Sequence, residues 1–320
     1  MKHFLIFSAA YFGDTLMTGA LCMNLKRMYP QCYIVFVVNK PFADAARYLN
    51  GVDEVWPLDK KGSDRSVWSK YTFLKKYERR YVFDAAFIMW KNFFGALAAK
   101  FWGAKKIYAE PGALWQRFFL TNGAIDFKHW VHVQDKMAYL SELYSHMPME
   151  SMKIRYHIPD EAMAYVKKLL QHEGRPLVLI NPLTKNKKKD FSLSLVAALA
   201  QQIDRAGYTP GMVGCGIAAT RYYDALPPET GNILRNFSNR TTIPQLAALL
   251  AASRLLISAD TGTAHLALTV NVPLVFVVYR NEPYRLRRWA PKSFYRAVTV
   301  SHEQAFKADD IWRAGKKWCL

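Results

Sequence analysis

The residues of this chain that are best suited to chemistry lie within positions 255–279. An apolar run there predicts a buried strand, and Asp260, Thr261 and Gly262 then supply capping side chains and a glycine before a predicted helix. The free N–H groups at such a helix start favour a bound phosphate, and Gly262 has no Cβ to keep the phosphate from the backbone. His265, in the first turn, can add a donor. The alternative is that Asp260 or Thr261 only caps a helix.

Asp14 is a second candidate, because it follows the first apolar run of the chain. Residues 4–8 predict a buried strand, and Gly13 opens a turn that places the Asp14 carboxylate at the rim of a binding cleft. A carboxylate in that place can react with a bound ligand as well as cap a helix. The alternative is that Asp14 is the N-cap of a helix predicted over residues 16–28.

Two further turns follow predicted strands in the second half of the chain. A lysine-rich loop at residues 185–189 comes after the strand predicted at 177–180 and offers a second place for phosphate. The alternative there is a solvated charged loop. The strand predicted at 209–213 leads into a turn that begins at Gly214.

The order of these elements predicts an α/β fold. In the first half, apolar strands alternate with helical periodicity, and the strands are predicted at residues 4–8, 33–38, 54–57, 85–90 and 106–108. This alternation predicts a parallel, doubly wound sheet, whose ligands bind beyond the carboxyl ends of the strands. The pattern restarts after an extended segment that ends at Pro159. We therefore predict domains at residues 1–158 and 159–305, with a C-terminal helix at 306–320.

Composition limits the classes of function. A length of 320 residues favours two domains, and 51% hydrophobic residues without a low-complexity tract predict a globular chain. The four cysteines have no Cys-x-x-Cys spacing, which argues against a zinc site or a disulfide framework and fits a reducing cytoplasm. The net charge of +19 predicts an anionic partner, and nucleic acid, acidic lipid and a phosphorylated lipid substrate would all satisfy it.

Basic and aromatic residues interleave in two segments, at residues 59–80 and 90–106. Aromatic rings and cations together suit a membrane interface, where the cations meet lipid phosphates. Within the first segment, Lys76, Arg79 and Arg80 are candidates for binding an anionic acceptor. The alternative is a pair of ordinary amphipathic helices with solvated lysines.

Several of these motifs together resemble the ADP-heptose:lipopolysaccharide heptosyltransferases, glycosyltransferase family 9. Residues 260–267 read Asp-Thr-Gly-Thr-Ala-His-Leu-Ala, followed by a strand led by Pro273, as in that family. Residues 240–246, 12–16 and 25–30 are similar to further family segments, so the resemblance spans nearly the whole chain. It implies a GT-B fold, in which two Rossmann-like, doubly wound domains face each other across a cleft. The resemblance also implies that the C-terminal helix at 306–320 packs back on the first domain.

The resemblance also implies roles for residues. Asp14 resembles the catalytic base, and Lys189 aligns with the lysine of a Lys-x-Trp-Pro motif that contacts the donor diphosphate, although Phe191 and Ser192 replace its Trp and Pro. The residues that would bind the donor are Thr184, Lys189, Gly214, Asp260, Thr261, Gly262, Thr263 and His265. The residues predicted to bind the acceptor are Gly13, at the Gly-Asp turn, and Lys76, Arg79 and Arg80, which come from the basic segment and not from the resemblance. An acidic residue that many relatives place at the donor ribose is missing, since residues 217–220 read Ile-Ala-Ala-Thr.

The function implied is an inverting transfer of heptose from ADP-heptose to the Kdo and heptose inner core of lipopolysaccharide, at the inner face of the cytoplasmic membrane. No cofactor is expected. No metal is expected either, because the chain contains no Asp-x-Asp. The missing ribose acid keeps open a related transferase that uses another nucleotide sugar.

Two rival classes remain at this point. A Rossmann oxidoreductase is disfavoured because no Gly-x-Gly-x-x-Gly follows the first strand. A non-catalytic protein that binds anions or nucleic acid would explain the charge, but it would not explain Asp14 or the match at residues 260–267. We therefore expect no nucleic-acid partner.

Overall fold

The computed structural model describes residues 1–90, 92–109, 120–121, 132–279, 283–302 and 306–319. Lys91 and Leu320, which fall within predicted segments, lie outside the described residues. The chain divides into two compact units, Met1–Arg155 and Tyr156–Leu320. The division falls slightly before the predicted boundary at 158, because backbone hydrogen bonds tie the residues on its two sides, Arg155 and Tyr156, to different units. The Arg155 carbonyl accepts from the N–H of Asn50, whereas the Tyr156 N–H donates to Thr269.

The first unit is built around a five-stranded parallel sheet in the order β3-β2-β1-β4-β5. Its strands are β1 (His3–Ser8), β2 (Tyr33–Asn39), β3 (Glu54–Leu58), β4 (Ala85–Ile88) and β5 (Ile107–Ala109). Its helices are α1 (Phe12–Met17), α2 (Gly19–Met28), α3 (Ala43–Arg47), α4 (Val67–Lys76), α5 (Phe93–Phe101) and α6 (Val133–Ser145). β1 and β2 are buried almost throughout, as their continuous apolar sequences predict.

The second unit holds a six-stranded parallel sheet in the order β11-β10-β9-β6-β7-β8. Its strands are β6 (Leu177–Asn181), β7 (Thr209–Met212), β8 (Arg235–Asn236), β9 (Leu255–Ala259), β10 (Leu274–Tyr279) and β11 (Ala297–His302). Its helices are α7 (Asp160–Leu169), α8 (Leu193–Arg205), α9 (Ile217–Asp224), α10 (Pro228–Ile233), α11 (Ile243–Ala251), α12 (Gly262–Thr269), α13 (Pro283–Trp289) and α14 (Ala308–Lys316). Two parallel, doubly wound α/β domains confirm the predicted fold class.

The first helix differs from the prediction of a single helix over residues 16–28. Helix α1 already begins at Phe12, so Gly13 lies in its first turn rather than in a loop. Thr18 then separates α1 from α2, and Gly19 begins the second helix. A Cβ on Gly19 would lie 2.7 Å from Ile154 Cγ2, so the close packing at this break requires a residue without a side chain.

The C-terminal helix, α14, packs on the sheet of the second unit. It contacts β9, β10, β11 and α8. Ile311 and Trp312 are buried in the same apolar core as Leu255 and Val275. Gly315 faces those strands without a side chain, which explains why the helix can lie so close to the sheet.

Among the described residues, every helix is too short or too polar to cross a lipid bilayer.

Candidate functional site

The donor residues predicted from sequence gather at the carboxyl ends of three neighbouring strands of the second sheet. β6 lies between β7 and β9, and its last residue, Asn181, pairs in register with Ser258 of β9. The strand order reverses here, since β7 follows β6 in one direction and β10 follows β9 in the other. Doubly wound sheets bind ligands at such a switch point. The loops after β6, β7 and β9 are therefore the candidate donor site.

The start of α12 is held in place by buried polar side chains. Thr261 is its N-cap, and its Oγ1 accepts from the N–H of Ala264 at 3.3 Å. Asn181 Nδ2 donates to Thr261 Oγ1 at 2.9 Å and to Ser258 Oγ at 3.1 Å, so β6 fixes the cap that follows β9. The first N–H groups of a helix have no acceptor within that helix, and in α12 they belong to Gly262 and Thr263. This helix start suits an anion.

Asp260 and His265 form a pair beside this helix start. His265 Nε2 lies 3.4 Å from Asp260 Oδ1. His265 is only 2% exposed, and its ring centroid lies 5.4 Å from that of Trp289. The imidazole is therefore placed to position Asp260, and the suggestion that it donates directly to a phosphate receives no support from this arrangement.

The loop after β6 is closed by its own side chains. Asp190 Oδ1 accepts from the Thr184 N–H at 2.6 Å, and Thr184 Oγ1 donates to the Asn186 carbonyl at 2.7 Å. The Thr184 hydroxyl is thus engaged within the loop. Lys189 is half-buried at the end of a short 3-10 turn, whereas Lys187 is exposed. These two lysines therefore differ in environment within one loop.

Phe191, which aligns with the Trp of the family motif, anchors the end of the loop in the core. Its side chain is buried, and its carbonyl accepts from the Tyr222 hydroxyl at 2.7 Å. Burial, with a smaller effect of the nearby Asp190 carboxylate, raises the pKa of Tyr222, so the hydroxyl keeps its proton and remains a donor. Ser192, where the motif has Pro, caps α8 by accepting from the Leu195 N–H. A serine can therefore replace proline at this helix start.

The turn after β7 is tied to the turn after β8 by Asn239. Its Oδ1 accepts from the Gly216 N–H at 2.6 Å, and its Nδ2 donates to the Gly216 carbonyl at 3.3 Å and to Thr220 Oγ1 at 3.1 Å. Asn239 and Gly216 both have positive φ angles, 59° and 80°. A Cβ on Gly214 would lie 3.1 Å from the Cβ of Ala219, so a larger residue would press on α9.

Asp14 lies in the first domain, in the third position of α1. Its Oδ2 accepts from the Tyr11 N–H at 3.2 Å, so the carboxylate caps its own helix from inside the first turn and is not the N-cap. α1 follows the end of β1, which places Gly13 and Asp14 at the carboxyl edge of the first sheet. This is the edge where such sheets bind ligands.

The structure does not bring Lys76, Arg79 and Arg80, the basic residues predicted to bind the acceptor, to that edge. Arg80 Nη2 lies 2.8 Å from Glu54 Oε1, and Glu54 is the first residue of β3. Strands of a parallel sheet begin at one edge and end at the other, so Arg80 lies at the amino edge. α4 connects β3 to β4 and carries the chain back by about 15 Å over its ten residues, and Lys76 ends it. Arg79 follows, before β4.

Three polar residues that the sequence did not single out support these loops. Asn181 and Asn239 hold the loops of the second domain, and Lys60 donates from Nζ to the Ala9 carbonyl at the carboxyl edge of the first. The sequence does contain a pattern that could have identified Asn181, because it is a polar residue at the end of a predicted buried strand. No such pattern identifies Asn239, because its hydrogen-bond partner Gly216 is far away in the sequence.

The described part of the chain contains no group of three or more His, Cys, Asp or Glu side chains that could hold a metal ion.

Comparison with known proteins agrees with this arrangement. The model of glycosyltransferase family 9 (heptosyltransferase) matches residues 73–314. The lipopolysaccharide core heptosyltransferase OpsX of Haemophilus influenzae is 23% identical over 311 residues, which are 96% of this chain and 86% of OpsX. Among solved structures, a glycosyltransferase family 9 protein of Veillonella parvula has a TM-score of 0.86 at 16% identity, covering 99% of this chain and 97% of that one. The Escherichia coli ADP-heptose lipopolysaccharide heptosyltransferase II has a TM-score of 0.80 at 19% identity, covering 99% and 98%.

The fold and the switch-point loops place this chain among the glycosyltransferases with two doubly wound domains, the GT-B class. The family match covers most of the chain, from residue 73 to residue 314. The chain therefore belongs to glycosyltransferase family 9, and it is an enzyme. A non-catalytic anion binder and an oxidoreductase are both set aside by this membership.

Proposed function

We propose that this enzyme transfers heptose from ADP-heptose to the inner core of lipopolysaccharide, with inversion at the anomeric carbon. Family membership supports the reaction class, and the names of OpsX and heptosyltransferase II state a lipopolysaccharide core acceptor and an ADP-heptose donor for those proteins. The observation that carries the proposal is the capped start of α12, at the switch point of the second sheet and beside the Lys189 loop.

In this proposal the donor diphosphate binds at the second domain. The N–H groups of Gly262 and Thr263 and the ammonium group of Lys189 neutralise its charge. Gly214 admits the nucleoside next to the backbone, and Asp260, held by His265, orients the donor. Thr184 contributes through the shape of its loop, because its hydroxyl is engaged with Asn186.

Asp14 is the proposed general base. Its carboxylate takes the proton from an acceptor hydroxyl, whose oxygen forms a bond to the anomeric carbon of the sugar. The bond from that carbon to the phosphate oxygen breaks on the opposite face, and ADP leaves with the electron pair. The hydrogen bond from the Tyr11 N–H fixes one carboxylate oxygen for this step.

We propose that no metal takes part in the transfer. The chain contains no Asp-x-Asp, and Lys189 and the start of α12 provide positive charge for the departing diphosphate. Full turnover in the presence of a strong chelator is the expected result.

The acceptor binds, on this proposal, at the carboxyl edge of the first domain near Gly13. Lys60 replaces Lys76, Arg79 and Arg80 as the basic residue proposed for the acceptor phosphates or carboxylates, because it lies at the same sheet edge as Asp14. The acceptor is anionic and lipid-linked, so we propose that the enzyme works in the cytoplasm at the inner face of the membrane. The net charge of +19 is consistent with that location.

One observation favours a second donor. Ile217 stands at the start of α9 directly after Gly216, in the stretch where the resemblance leads us to expect an acid for the ribose, and it is 68% exposed. An apolar residue cannot accept a hydrogen bond from ribose hydroxyls. A related transferase that uses another nucleotide sugar would explain this change.

The test compares transfer from a panel of nucleotide sugars to a deacylated inner-core acceptor, together with the thermal stability of the enzyme with each donor. ADP-heptose should support turnover and raise the melting temperature most, since a ligand of the native state stabilises it. If a nucleotide sugar with another base supports faster turnover, the second donor is correct. Turnover with none of them would refute the proposed reaction.

A further inference from the structure

Helices α4 and α5 of the first domain present large apolar side chains to solvent. Val67 is 82% exposed and Trp68 79% exposed, both in the first turn of α4, and Tyr71 is exposed one turn later. Phe93 and Leu97 of α5 are also partly exposed. Exposed apolar side chains that cluster in this way mark an interaction site on a folded protein. We call these five residues the α4–α5 face.

Helices α4 and α5 lie side by side, and a capping side chain fixes the start of each. The Trp102 Nε1 donates to the Leu74 carbonyl at 2.9 Å, and Lys70 Nζ lies 5.7 Å from the centre of the Phe94 ring. Ser66 caps α4, and Asn92 caps α5 by accepting from Gly95. The exposed side chains are therefore held by ordered helix starts and do not belong to a loose loop.

This face lies at the edge of the sheet where the chemistry is proposed. α4 follows the end of β3 and α5 follows the end of β4, so the first turns of both helices stand at the carboxyl edge. Asp14 follows the end of β1 and stands at the same edge. Whatever binds Val67 and Trp68 is thus on the same side of the first domain as the proposed base.

The charge around the face is positive. Lys61 and Arg65 are exposed in the loop that leads into α4. The acids of that loop are engaged locally: Asp59 forms an ion pair with Lys40 at 3.1 Å, and Asp64 accepts from the Asp59 N–H at 2.7 Å. Lys40 and backbone N–H groups hold the pKa of Asp59 below its usual range. The face therefore combines apolar and aromatic side chains with cations, the combination that suits an anionic lipid interface.

We propose that the α4–α5 face docks on an anionic lipid bilayer, with Val67 and Trp68 entering the interface and Lys61 and Arg65 meeting lipid phosphates. This inference rests on the proposed function in one respect, that the acceptor is carried by a lipid. Docking through this face presents the carboxyl edge, with Asp14, to sugars that project from the bilayer. It also replaces the amino-edge residues Lys76, Arg79 and Arg80 as the source of membrane contact.

The test is flotation of the full chain with vesicles of phosphatidylcholine alone or mixed with phosphatidylglycerol. The wild-type protein should bind the anionic vesicles and release as salt rises. The double variant Val67→Ser, Trp68→Ser should lower the partition coefficient about tenfold or more, because two large side chains no longer leave water. Each of Lys61→Gln and Arg65→Gln should lower it about fivefold at low salt.

Val82→Ser is the matched control, because Val82 is 66% exposed in the same domain but lies just before β4, at the amino edge. It should bind vesicles as the wild type does. Equal vesicle binding by the wild type and the Val67, Trp68 double variant would overturn the proposal. An equal loss in Val82→Ser would overturn it too. If none of the apolar substitutions changes vesicle binding and duplex DNA competes with it, the binding comes from the overall charge of +19 and the proposal is wrong.

Turnover of a soluble, deacylated acceptor separates this inference from the proposed reaction. The Val67, Trp68 double variant should retain the wild-type rate with that acceptor, because neither residue belongs to the proposed catalytic or donor machinery. Loss of vesicle binding with retained turnover supports the docking face. If the wild-type protein transfers no sugar at all, the proposed reaction fails, while the vesicle measurements still decide the face.

Discussion

Asp14 combines a structural contact with the position expected of a base. Its carboxylate accepts from the Tyr11 N–H within the first turn of α1, and an amide at this position can keep that hydrogen bond. Asp14→Asn should therefore fold normally and bind ADP with unchanged affinity, while turnover falls ~10²–10⁴-fold through loss of the base. Initial rates and calorimetric titration with ADP measure the two quantities. Near-normal turnover in Asp14→Asn would return Asp14 to the role of a cap alone.

Lys189 and Lys187 differ in burial within one loop, which makes them a matched pair. Lys189 is half-buried at the end of the 3-10 turn and Lys187 is exposed. Lys189→Ala should weaken ADP binding by about tenfold or more, since charge-assisted contacts contribute about 1.5–3 kcal/mol each. Lys187→Ala should leave it nearly unchanged. Equal losses in both variants, measured by calorimetry, would mean that the loop attracts ADP by its summed charge.

At the scale of elements, the position of α14 depends on the absence of a side chain at Gly315. A Cβ there would lie 2.6 Å from Leu255 Cδ2 and 2.8 Å from Val275 Cγ2, both fully buried on β9 and β10. Gly315→Ala gains about 1 kcal/mol of helix propensity but meets overpacking that costs about 1–3 kcal/mol, so the free energy of unfolding should fall.

Gly231 supplies the control for that experiment. It lies in α10, and a Cβ on it would meet nothing within 4 Å. Gly231→Ala should therefore raise the free energy of unfolding by up to about 1 kcal/mol through propensity alone. Urea titrations of both variants would contradict the account of α14 if Gly315→Ala proved as stabilising as Gly231→Ala.

The strands and the donor loops could be predicted because their signals are local. β6 and β9 are apolar runs that end in polar residues, and Thr261 caps the next helix as its residue type predicts. The docking of α14 could not be predicted, because it depends on contacts of Gly315 with strands distant in the sequence. The position of Arg80 at the amino edge could not be predicted for a related reason, since charge density along the sequence does not show which end of a helix returns to which edge of the sheet.

At the scale of the whole molecule, the four cysteines report on the two domains separately. Cys22 and Cys32 are buried in the first domain and Cys319 in the second, whereas Cys215 is exposed after β7. Burial raises the pKa of Cys32 to about 11 and also raises the pKa values of Cys22 and Cys319. The thiolate is the reactive form, so at neutral pH a maleimide should modify Cys215 alone in the folded enzyme.

ADP should slow that labelling, because Cys215 lies between Gly214 and Gly216 in the proposed nucleoside turn. In a urea titration, ADP at 100 times its Kd should also raise the free energy of the unfolding that exposes Cys319 by about 2.7 kcal/mol, because ADP stabilises the unit that binds it. Labelling of Cys22 and Cys32 should shift less. Mass spectrometry of the modified peptides distinguishes the sites, and an unchanged rate at Cys215 would place the nucleoside elsewhere.

The order of strands in the second sheet also affects how the chain is made. β6 lies between β7 and β9, so one side of Leu177–Asn181 has no partner until Leu255–Ala259 has left the ribosome. At synthesis rates of ~5–20 residues per second, that interval is roughly 4–16 s. An unpaired apolar strand is a template for pairing with other chains. Each nascent molecule must therefore pass through a period of seconds in which chaperones can protect the strand that will later anchor the nucleotide site.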